Sequence, residues 1–103
     1  MKKKVSIERF NNARDFGKAL GLSDLDMELI RQKKNLIKKL KEARLKKGIS
    51  QAALAARVST KQPAIARMES GQVSEVSMDF LIKISLVLGV PVTIKAVNLK
   101  QVA

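Results

Sequence analysis

Among the amide and cationic side chains in the stretch SQAALAARVSTKQPAIARMESG at residues 50–71, Gln51, Lys61, Gln62 and Arg67 stand out. Their chemistry is suited to reading a surface rather than breaking a bond. A glutamine amide can bond bidentately to adenine and a guanidinium to guanine in the major groove, whereas lysine is a compact point charge that fits phosphate. Pro63, Ala66 and Ser70 share the outward side of the second segment with Lys61, Gln62 and Arg67. Gln51 opens the preceding segment, where its amide and the N–H groups of a helix start can address a phosphate. Gln51, Lys61, Gln62, Pro63, Ala66, Arg67 and Ser70 are therefore the candidate duplex-binding residues.

The chain offers little for catalysis. It has no histidine, cysteine, tryptophan or tyrosine, so the usual neutral-pH base, the thiol nucleophile and the common zinc ligands are missing. Its nine Asp and Glu residues are scattered among basic helix faces, where surface pairing is the plain explanation. The expectation is no enzyme, no cofactor and no metal. Phe10, Phe16 and Phe80 are too few to form a stacking platform for single strands.

Charge names the partner class. A chain of 103 residues suits one domain with a short arm or tail, and 21 Lys and Arg against 9 Asp and Glu leave it at +12. Such a surface suits a polyanion, and duplex DNA fits it best. No segment approaches the roughly 18 apolar residues of a spanning helix, so no membrane is expected. The start MKKKVSIERFNNARDF lacks the apolar core of a secretory signal, which points to the cytoplasm.

These residues need helices to hold them. Phe10, Ala13, Phe16 and Leu20 recur at helical spacing in a short first segment. Ser23, followed by Asp24, Asp26 and Glu28, marks the start of a long helix over 24–47, which Gly48 ends. Its apolar positions are Leu25, Ile30, Leu36, Ile37, Leu40 and Ala43, and Asn35 is a candidate break. Ser50 caps the next helix, a third runs over 62–70, and a fourth spans 77–88 with Met78, Leu81, Ile82, Ile84, Ser85 and Leu88 inward. In VPVTIKAV the period changes to two with β-branched residues, which predicts a strand. A lone strand needs a partner, such as the same strand of a second copy.

The two helices within 51–70 have the spacing of a helix-turn-helix. Ala55 sits where only a small side chain lets the backbones approach, and Leu54, Val58, Ile65 and Met68 fill the space between them. Pro63 in the first turn loses an N–H that no intrahelical carbonyl needs. The turn position that usually carries glycine holds Ser59, which costs about 1 kcal/mol if left-handed.

The segment LKEARLKKGISQAALAARVSTKQPAIARMESG resembles the Xre family, the lambda Cro and repressor type of helix-turn-helix, over about residues 36–88. The resemblance is carried by Gly48, Ser50, Gln51, Leu54, Ala55, Gln62, Ile65, Arg67, Glu69 and Gly71. Within that family the chain is similar to HigA-type antitoxins, in its N-terminal extension and its LGVPVTIK ending. The resemblance implies a homodimer on an inverted-repeat operator, repression of its own operon, and neutralisation of a RelE/HigB-like ribonuclease toxin. The expected architecture is mainly α: a four- to five-helix lambda-repressor-like helix-turn-helix domain with an N-terminal helical extension and one C-terminal β-strand. Residues 1–30 form the extension and a toxin-binding arm, 31–97 the DNA-binding domain with its strand, and 98–103 a tail. The alternatives are a stand-alone Xre-type phage or chromosomal repressor, and a protein-interaction module that keeps the fold without reading DNA.

Overall fold

A computed structural model of the protein describes residue 21 and residues 23–96. The described residues form four α-helices and one 3-10 turn: α1 (Asp24–Lys46), α2 (Gln51–Arg57), α3 (Gln62–Glu69), the turn Val73–Glu75, and α4 (Met78–Leu88). They fall into a unit at Ile30–Ile94 and residues that flank it. The short segment at 10–20 and the tail at 98–103 lie outside the described residues.

α1 starts where its cap chemistry places it. The Ser23 hydroxyl accepts from the Asp26 N–H at 3.0 Å, and Asp24 and Asp26 stand at the positive end of the helix dipole. The helix continues through Asn35 without a break. Leu25, in the first turn, is exposed. Gly48 ends the approach to α2 with φ +69, a conformation that a side chain resists, while the Ile49 N–H reaches back to the Arg44 carbonyl at 3.1 Å.

Within Ile30–Ile94 the core joins all four helices. Leu36, Ile37 and Leu40 of α1 meet Leu54 and Ala55 of α2, Ile65 and Met68 of α3, and Leu81, Ile84 and Leu88 of α4. Val58 packs against this cluster while partly buried, so the five residues expected to turn the corner all face it. Burying a Leu, Ile or Met side chain contributes about 1.5 to 3 kcal/mol. Truncating Leu54, fully buried, should cost about 2 to 5 kcal/mol.

The remaining joints are polar. Ser77 caps α4 by accepting from the Phe80 N–H at 3.1 Å, and buried Ser85 donates to the Leu81 carbonyl at 2.8 Å. The Lys33 ammonium donates to the Val76 carbonyl at 2.7 Å, which ties α1 to the loop ahead of α4.

Two expectations need correction. Ile82 is exposed, because it lies one position around α4 from the Leu81–Ile84–Leu88 stripe, on the same flank as Leu86. The strand at 90–97 is not formed over its described part: residues 90–96 run without regular structure. A strand is defined by its ladder, and no other strand exists among the described residues to complete one. Val90 and Val92 nevertheless pack against the helical core.

Candidate nucleic-acid interface

The turn between α2 and α3 is tight. The Val58 N–H bonds the Leu54 carbonyl at 3.1 Å, and the Thr60 N–H reaches the Ala55 carbonyl at 2.9 Å. Between them Ser59 takes φ 59, the left-handed conformation that glycine adopts at least cost. Ser50 caps α2 by accepting from the Ala53 N–H at 3.0 Å. α3 begins without such help: Lys61 stands at its N-cap with no side-chain bond, and Pro63 follows in the first turn. Lysine is a poor capping residue, so its place there does not serve helix stability.

Beneath this surface lies a network that sequence reasoning missed. Arg44 of α1 and Glu69 of α3 form an ion pair with side chains only 8% and 3% exposed. The Arg44 Nε donates to Glu69 Oε2 at 2.6 Å, Nη2 to Oε1 at 2.9 Å, and Nη1 to the Ile49 carbonyl at 2.7 Å. The bidentate geometry and the third bond give each guanidinium nitrogen a partner at a site that is mostly shielded from water. Burial by itself would raise the Glu69 carboxyl. The hydrogen bonds from Arg44 and Gln51, with the charges of Arg44 and Lys41, outweigh it and hold the carboxyl below its ordinary range. The bond to Glu69 raises Arg44, burial opposes that, and the attraction to the carboxylate adds to it.

The network runs outward to the candidate reading residues. Gln51 Nε2 donates to Glu69 Oε1 at 3.0 Å, and Gln62 Nε2 donates to Gln51 Oε1 at 2.6 Å. An ionised carboxylate only accepts, so Gln51 must turn its NH₂ toward Glu69, which leaves its carbonyl oxygen for Gln62. Gln62 must then donate in turn. This sequence of obligations fixes the Gln62 amide with its own oxygen and one N–H left over, the pair that a bidentate adenine contact requires. Gln51 itself is only half exposed and retains one N–H beyond the network.

The rest of the α3 surface is open. Lys61, Gln62, Pro63, Arg67 and Ser70 are exposed and Ala66 is half-buried. The Arg67 head makes no ion pair among the described residues. It borders an open cleft of about 300 Å³ together with Thr60, Glu75 and Phe80. The Ser70 hydroxyl donates to the Arg67 carbonyl at 2.8 Å, so it closes the helix end and can still accept. No group of three or more His, Cys, Asp or Glu among the described residues could hold a metal.

Two short helices crossing over a small residue, with a polar outward face on the second, define a DNA-binding helix-turn-helix domain. The model of the helix-turn-helix family, of the Xre-like kind, matches residues 40–95, more than half of the chain, and the protein belongs to that family. It is a family of sequence-specific DNA-binding regulators. Neither the curated proteins nor the solved structures yield a match to the chain. No helix among the described residues is long and apolar enough to cross a membrane.

Proposed function

We propose that the protein is a dimeric transcriptional repressor that inserts α3 into the major groove of an inverted-repeat operator. The observation that carries this reading is the Gln62 amide, oriented through Gln51 by the buried Arg44–Glu69 pair and presented on an otherwise open face. Gln62 and Arg67 read base edges in this account. Lys61 holds a phosphate, and the remaining N–H of Gln51 is available to a second. Pro63, Ala66 and Ser70 set the closeness of approach.

A twofold dimer places its α3 helices about 34 Å apart, one duplex turn. The apolar residues that such pairing would cover are Leu86, 78% exposed on α4, with Ile82 beside it, and Ile94, 70% exposed in the segment after α4. Pairing of the 90–97 segments across the twofold axis would supply the ladder that one chain lacks.

We further propose that the repressor is an antitoxin of the HigA type, whose extension at residues 1–30 grips a RelE/HigB-like ribonuclease. The family match starts at residue 40, and the stretch ahead of it accommodates such an arm. Selection from randomised duplexes tests the DNA reading: an inverted repeat should be recovered, and Lys61→Ala should weaken every sequence alike. Recovery from native cells of a small ribonuclease bound in equal amount supports the antitoxin, and a repressor recovered alone contradicts it.

A further inference from the structure

α1 carries more charge than the α3 interface uses. Residues 30–47 hold nine Lys and Arg side chains and one carboxylate, Glu42. With Leu36, Leu40 and Arg44 facing inward, the helical repeat puts Lys34, Lys38 and Lys41 on one flank and Lys39 and Lys46 on the other. All five are exposed. Lys34, Lys38 and Lys41 form no ion pair among the described residues.

The first flank adjoins the interface. Lys41 lies one turn before Arg44 on α1, and its charge acts on the Glu69 carboxylate. Arg44, Glu69, Gln51 and Gln62 then lead directly to the start of α3. From Lys34 to Lys41 the stripe is about 10 Å long at 1.5 Å per residue. A duplex presents a charge for about every 1.7 Å of its axis, so such a stripe spans several phosphates.

We propose that Lys34, Lys38 and Lys41 form a second phosphate-binding surface, which extends the α3 contact along the same duplex beyond the bases that α3 reads. The inference rests on the DNA reading proposed above. Duplex DNA is the occupant because the stripe meets the Arg44–Glu69–Gln51–Gln62 network at Lys41 and carries cations without ion pairs among the described residues at helical spacing. Glu42, one turn from Lys38, makes that lysine the weakest of the three.

The test compares two charge-matched variants of the full chain, Lys34→Gln/Lys41→Gln and Lys39→Gln/Lys46→Gln. Each is titrated onto a selected operator duplex at several salt concentrations, after a thermal melt confirms folding. The first should flatten the slope of log K against log salt by nearly 2, at about 0.9 per phosphate contact, and the second by less than about 0.5. Relative preference among bases should be unchanged in both. Equal flattening by both pairs would reveal a diffuse field and overturn the proposal, as would an unaltered slope in the first variant while the wild type stays steep. A wild-type chain with no salt-dependent duplex binding would overturn both this inference and the reading beneath it.

Discussion

The two flanks of α3 are built to opposite rules. On the Gln62 side each polar group is engaged by the next, back to an ion pair whose side chains are 8% and 3% exposed. On the Arg67 side a long cation stands over an open cleft and forms no ion pair among the described residues. The first arrangement orders an amide before any partner arrives, which removes most of the ordering cost from binding. The second leaves that cost to the complex and lets the guanidinium choose its geometry there. A held reader suits one base and an adaptable one tolerates neighbours, so stability and recognition should be coupled on one flank and separate on the other.

The sharpest way to break that comparison is to remove one end of the buried pair. Glu69→Ala leaves Arg44 buried without its partner and should cost about 3 to 5 kcal/mol of folding stability, measured by denaturant unfolding. Replacing both charges by apolar residues, Arg44→Met with Glu69→Leu, should be close to neutral for stability, yet it should blur the base preference of Gln62, measured by duplex competition. Loss of stability with full selectivity would show that the pair serves the core alone.

The same pair sets an acid limit. Glu69 has a lowered pKa in the fold relative to an ordinary value of 4.5. Its contribution is therefore present in full above that value and is lost as pH falls through the folded-state pKa. Melting temperature should decline with acid in the wild type, and the part of that decline due to this carboxyl should be absent in Glu69→Gln.

On the open flank the effect is confined to binding. Arg67→Ala should cost about 1 to 3 kcal/mol of operator affinity and relax one base position, with an unchanged melting temperature. The smallest effects lie at the turn. Ser59→Gly should stabilise by about 1 kcal/mol, because φ 59 favours glycine. Lys61→Ser should add about 1 kcal/mol through a proper N-cap while weakening duplex binding. Gain of stability without loss of affinity would remove Lys61 from the interface.

How much was legible in the sequence followed from how local each cause is. The corner formed by Leu54, Ala55, Val58, Ile65 and Met68, and the strained turn at Ser59, lie within one short stretch of chain, 54–68, and both stand where the spacing puts them. The Arg44–Glu69 pair joins positions far apart in the chain, and no local rule couples them. A signal did exist: Arg44 falls one turn after Leu40 and Glu69 one turn after Ile65, so each charge sits on a buried stripe. The expected strand is absent over its described part, residues 90–96, for the same reason in reverse. Its alternation is local, but its ladder needs a second strand that the described residues lack.

The central claim is that Gln62 reads a base because Gln51 holds its amide. The direct measurement is the base preference of wild type, Gln62→Ala and Gln51→Ala, each selected from randomised duplexes at one salt concentration. The account predicts that both variants lose preference at the same half-site position, with Arg67→Ala losing it at another. Wild-type preference retained by Gln51→Ala, or a loss spread evenly over the site, would contradict it.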